Sequence, residues 1–88
     1  MSAPLHIIHS AAALRRCLPR ATADAVLLLL GDAVYCSLTP QGRPIHVLAE
    51  DLAARGLSGA DLAGGATLVD MKGFVALTVA HSPLVGWS

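Results

Sequence analysis

Apolar residues in this chain fall into short runs separated by turn chemistry, and the runs differ in pattern. The most uniform is Ala25 to Leu30, AVLLLL, which has no polar position at all. A strand with one wet face would alternate, and a bilayer span would need about 18 apolar residues. The run therefore predicts a strand buried on both faces, of the kind found inside a parallel sheet covered by helices. Gly31-Asp32 stops it and turns the chain. That turn puts Asp32 and Tyr35 at the carboxyl end of the strand, the edge where ligands gather in open α/β sheets.

The other runs arrange themselves around this one. Leu5 to His9 reads as a first short strand, and Ser10 is a good N-cap for a helix over Ala11 to Leu18. Leu14 and Leu18 share a face of that helix with Ala11, and Pro19 disfavours helical geometry at Leu18. Strand, brief helix and central strand make one short βαβ unit. Ala33 to Leu38 fits either a helical turn or a short extended piece, and Thr39 to Gly42 is a turn. Pro44 to Ala49 predicts a third strand. A helix follows, opening on Glu50-Asp51, running through Leu52 and Arg55 and stopping at Gly56. Ser58 to Gly65 is a loop, Ala66 to Asp70 a fourth strand, and Lys72 to His81 a helix with Phe74, Leu77, Thr78 and His81 on one side. Its second stripe, Val75 and Val79, predicts cover on more than one face. Leu84 to Ser88 is left as a tail. The alternation predicts one α/β domain over residues 1–88, a small three-layer sandwich with a mostly parallel sheet of about four strands.

Composition adds a constraint that periodicity does not. Of 88 residues 55% are hydrophobic and 14% charged, against about a quarter charged in an average soluble domain. A domain this small hides only about two-thirds of the surface its unfolded chain exposes. The excess apolar surface points to another protein subunit, with the Phe74 to Val79 helix and Trp87 as the expected contacts. No run is long enough for a membrane span, and no charged n-region with a long apolar stretch announces a secretory signal. A cytoplasmic location with free thiols is expected. Lys and Arg number six, equal to Asp and Glu, with one aromatic of each kind. A nucleic-acid surface has little support in that balance.

Few residues carry chemistry. Neither G-x-G-x-x-G nor a P-loop is present, so no nucleotide or other cofactor is expected. His6 and His9 would face opposite sides of a strand, His46 and His81 stand elsewhere, and no C-x-x-C occurs, so no metal site is expected. Asp32 has no second carboxylate nearby and reads as a turn residue. Cys36 lies in an apolar context and reads as a small core residue. Cys17 is the candidate site: Arg15, Arg16 and Arg20 surround it in sequence, and guanidiniums favour the nucleophilic thiolate. Two features oppose this reading, the carboxyl end of the helix beside it and the spacing from Leu14, which can turn Cys17 inward.

The ordered set LHIIHS, LLLLGDAVY, EDLAARGL and FVALTVAH with a terminal GWS resembles the DsrH/TusB family of sulfur-relay subunits. The likeness runs from Leu5 to Ser88. Its strongest pieces are Asp51-Leu52-x-x-Arg55-Gly56, the Phe74 to His81 segment and Trp87-Ser88. The resemblance implies a DsrE-like fold and assembly with DsrE/TusD-like and DsrF/TusC-like sister subunits in a 2:2:2 hexamer. It also implies sulfur carried as cysteine persulfide, a DsrC/TusE-like carrier protein as partner, and the principal acceptor cysteine on the DsrE/TusD-like subunit. The pathway is either 2-thiolation of the tRNA wobble uridine or oxidation of stored sulfur. Cys17-Leu18 through Ala21-Thr22 is similar to the setting in which DsrH-type members carry a cysteine. Two readings stand: a sulfurtransferase subunit with Cys17 as a secondary persulfide carrier, or a structural subunit that completes the complex without chemistry of its own.

Overall fold

A computed structural model describes residues 3–88. The elements are β1 (Leu5–Ile8), α1 (Ala11–Cys17), β2 (Val26–Leu29), a 3-10 helix (Gly31–Leu38), β3 (Ile45–Leu48), α2 (Ala49–Ala53), a 3-10 turn (Gly59–Asp61), β4 (Ala66–Val69), α3 (Met71–Ala80) and β5 (Leu84–Trp87). The strands form one sheet in the order β4-β3-β2-β1-β5, with every pairing parallel. The α/β class is as the alternation predicts. The sheet has five strands rather than about four, because the expected tail Leu84–Trp87 pairs with β1. Its run L-V-G-W follows Pro83 and is interrupted by Gly86, so no local signal identifies it as a strand. Only the distant β1 supplies its ladder, with Leu5 N–H donating to Pro83 O at 3.0 Å and His9 N–H to Trp87 O at 3.1 Å.

The crossovers decide which helix covers which face. From β1 to β4 the chain steps across the sheet in one direction, and from β4 to β5 it returns. Parallel crossovers are right-handed, so α1, the long 3-10 helix and α2 lie on one face and α3 lies on the other. Side chains alternate along each strand, and the register sorts them. Ile8, Leu27, Leu29, Ile45 and Val47 face α1, the 3-10 helix and α2, and form the core with Leu14, Val34 and Leu52. Leu5, Leu28 and Leu48 face α3. Leu27, Leu28 and Leu29 are all fully buried, so β2 is covered on both sides as its unbroken run predicts.

Local signals mostly hold, with shifted ends. Ser10 caps α1 by accepting from Ala13 N–H at 3.0 Å. Asp70, expected at the end of the fourth strand, instead caps α3 by accepting from Gly73 N–H at 2.7 Å, because a short polar side chain before a helix is worth more to orphan amides than to a ladder. Gly31 adopts φ 54°, a conformation that favours glycine. A Cβ there would stand 3.4 Å from His9 O.

Candidate functional site

Cys17 is the last residue of α1 and is completely buried in the core. The arginines that flank it in sequence do not gather around its sulfur. Arg15 and Arg16 are exposed, Arg16 donates to Ser88 O, and Arg20 donates to Arg16 O at 2.8 Å. Successive helical residues diverge by about 100°, so a cysteine turned into the core sends its neighbours outward. Burial raises the Cys17 thiol, and the charge that partly opposes it belongs to Arg43. The neutral thiol is therefore the favoured form.

Cys36, on the 3-10 helix, is half-buried. Burial raises its thiol too, and here Arg15 pulls the other way. The arginine expected beside Cys17 thus serves the other cysteine, because α1 packs against the 3-10 helix.

Arg43 was invisible to sequence reasoning. From the loop before β3 its Nη2 donates to Thr22 O and Ala25 O, both at 2.8 Å. Its Nε is buried without a partner among the described residues. The same charge, behind a larger effect of burial, lowers the basicity of His6, which is 7% exposed.

At the carboxyl edge of the sheet a second cluster holds the central turn. Asp51 Oδ2 accepts from Gly31 N–H at 2.7 Å. Arg55 donates to Asp32 Oδ1 from Nε at 3.1 Å and from Nη2 at 2.9 Å, and Arg55 Nη1 returns to Asp51 O at 2.9 Å. Asp32 is a turn residue with an ion-pair partner in Arg55. Among the described residues no three His, Cys, Asp or Glu side chains converge to hold a metal ion, and no helix is long and apolar enough to cross a membrane.

The outer side of α3 is different in kind. Phe74, Leu77, Thr78 and His81 are half-buried toward the sheet. Met71, Val75 and Val79 form an i, i+4, i+8 stripe on the other side, and Val79 is 83% exposed. The cover expected for Val75 and Val79 is not supplied by this chain.

Residues 9–83 match the family described as DsrH like protein. The chain belongs to the DsrH-like family. Such membership supports a role as a subunit of a sulfur-relay complex, normally in company with DsrE- and DsrF-like partners. No curated relative matches the chain. In this DsrH-like chain the pieces that carried the resemblance prove to be ties of the fold. Asp51 and Arg55 fasten α2 to the end of β2, His81 Nδ1 lies 3.2 Å from Ala3 O, and Trp87 Nε1 donates to His6 Nδ1 at 2.9 Å. The His6–Trp87 bond has a faint trace in sequence, since both fall on one face once β5 is registered on β1.

Proposed function

We propose that this chain is the DsrH/TusB-type subunit of a cytoplasmic hetero-oligomeric sulfur-relay complex. In this reading it works chiefly by completing the assembly with its sister subunits, while the principal acceptor cysteine sits on the DsrE/TusD-like subunit. Its pathway is persulfide traffic toward tRNA wobble-uridine thiolation or stored-sulfur oxidation, through a DsrC/TusE-like carrier, with no nucleic-acid contact of its own. The observation that carries the structural reading is a contrast: Cys17 is fully buried while Met71, Val75 and Val79 stand open on one helix. A group that must meet a donor needs access, and an exposed apolar stripe needs a partner.

A second reading has one observation in its favour, the Arg43 charge that acts on Cys17. In it Cys17 is a secondary persulfide carrier. The Cys17 thiolate attacks the outer sulfur of a donor persulfide, one S–S bond forms as the donor S–S bond breaks, and the donor leaves as a thiolate. No external oxidant is consumed.

One experiment addresses both. The complex assembled with its sisters is loaded from a persulfide donor, and modified peptides are mapped by mass spectrometry beside Cys17→Ser and Cys36→Ser. The structural reading expects sulfur on the sister subunit, an unmodified Cys17 and unimpaired flux through Cys17→Ser. An added sulfur atom on the Cys17 peptide, with flux lost in Cys17→Ser, establishes the carrier reading instead. Failure of the chain to assemble with DsrE- and DsrF-like partners removes both.

A further inference from the structure

The four histidines use their Nδ1 atoms in different ways. His9 Nδ1 lies 3.2 Å from Trp87 O, and His81 Nδ1 lies 3.2 Å from Ala3 O. A carbonyl oxygen only accepts, so both nitrogens donate, and they donate more strongly when the ring is charged. His46 Nδ1 is buried without a partner among the described residues. His6 is the reverse case. Trp87 Nε1 lies 2.9 Å from its Nδ1, with ring centroids 6.0 Å apart and planes at 43°. An indole N–H only donates. The His6 Nδ1 must therefore present its lone pair, and the ring proton sits on Nε2. An imidazolium carries N–H on both nitrogens and sets hydrogen against hydrogen at this contact.

The strand held by this bond lies at one edge of the sheet. β5 pairs with β1 and has no strand on its other side. Beyond the ladder it is held by the His6 and His9 side chains and by Arg16 on Ser88 O. Of these ties a proton removes one and leaves the others intact. The groups around His6 do not offset the loss. β2 and β5 bring no titratable side chain, α1 brings the neutral Cys17 thiol and the exposed Arg16, His9 stands beyond the end of the same strand, and Arg43 from the loop before β3 adds a positive charge. We propose that His6 is a proton-sensitive latch on the C-terminal strand. Neutral, it accepts the Trp87 indole and holds β5 on β1. Protonated, it rejects the indole and frees the end of β5, exposing the edge of β1 and part of the core beneath α1.

Trp87 is the only tryptophan of the chain, so its emission reports the latch directly. The full chain is followed by emission and by amide exchange from about pH 7.5 down to about pH 4.5, a span that brackets ordinary histidine titration. His6→Asn is compared because Oδ1 offers an acceptor near the place of Nδ1 and does not titrate. His46→Asn is the control for the other buried histidine. The wild-type chain is expected to show a red shift on acidification, with β5 amide exchange rising about five- to tenfold relative to β2, the size of one lost hydrogen bond. His6→Asn abolishes that change and His46→Asn retains it. A transition that persists in His6→Asn, the absence of any transition, or one that coincides with loss of β2 protection overturns the latch. Nitrogen-15 shifts of the wild-type His6 ring give a check independent of any variant. The Nε2–H tautomer at neutral pH is required, and an Nδ1–H tautomer overturns the proposal.

Discussion

The two faces of the sheet are finished to different degrees. On one, α1, the 3-10 helix and α2 close over Ile8, Leu27, Leu29 and Val47, and the helices themselves bury Ala13, Leu14, Cys17, Val34 and Leu52. On the other, the strands are equally well hidden at Leu5, Leu28 and Leu48, yet α3 buries no residue fully. The first face is a core sealed from both sides. The second is covered by one helix whose own outer stripe is apolar and open. Of the large hydrophobic residues left exposed, Tyr35 and Leu38 stand on the 3-10 helix, Leu68 on β4 and Leu84 on β5, while Met71, Val75 and Val79 line up as one stripe on α3. That is where a partner subunit would do for α3 what α2 and the 3-10 helix do for each other.

The largest effect expected from this contrast is on stability. Leu29→Ala, on the sealed face, should cost about 2–5 kcal/mol in denaturant unfolding, because lost transfer energy and an unrelaxed cavity add. Val79→Ala on the open stripe should stay within about 0.5 kcal/mol in the isolated chain. Equal costs at the two positions would erase the distinction. Next in size is the tie that fastens the sealed face at its edge. Asp51→Ala leaves the Gly31 N–H without its partner and should cost about 1–3 kcal/mol, with Asp51→Asn recovering part of it as a neutral acceptor. A neutral outcome for Asp51→Ala would mean that α2 is held by packing alone.

Each face also carries one histidine whose basicity burial lowers, His6 on the sealed face and His46 under α3. The unfolded chain then binds protons that the folded chain refuses. Their stabilising contribution is fully present above the ordinary histidine value of about 6.5 and is lost as pH falls through the lowered folded values. Thermal unfolding should show stability dropping below that point, with a shallower slope in either His6→Asn or His46→Asn. A slope of opposite sign would contradict the burial of both rings. The smallest effect on folding, and the sharpest on assembly, belongs to Val79→Asp. The isolated chain should keep its melting temperature within a few degrees, while co-purification with DsrE- and DsrF-like partners is lost. Retained assembly would assign the interface to another surface.

Much of this fold was legible because its signals are local. The uniform run at Ala25–Leu30 announced a strand covered on both faces, Ser10 and Gly56 marked helix ends, and the regular alternation announced a layered α/β domain. β5 was not legible, since Leu84–Trp87 becomes a strand only by lying on β1. The candidate site was half legible. The clustering of Arg15, Arg16 and Arg20 around Cys17 is real along the chain and absent around the sulfur, because helix geometry turns neighbours of a buried residue toward solvent. Arg43 acts on Cys17 from the loop before β3, far from it in sequence, and so left no mark beside that cysteine.

The amino-acid order by itself determined β1 to β4 and the three α-helices to within shifted ends, the buried central strand, the surplus of apolar surface and the family likeness. These follow from propensity, periodicity and composition, which are properties of neighbouring residues. Tertiary structure alone decided the rest. It turned Cys17 inward and gave Arg15 to Cys36, joined Asp51 and Arg55 to the β2 turn, left the Met71–Val75–Val79 stripe open, and brought Trp87 onto His6. The physical reason is common to all of these. Burial, charge and hydrogen bonding depend on which distant segments a right-handed chain of crossovers lays side by side, and that arrangement settles the protonation state of His6 and the accessibility of each thiol.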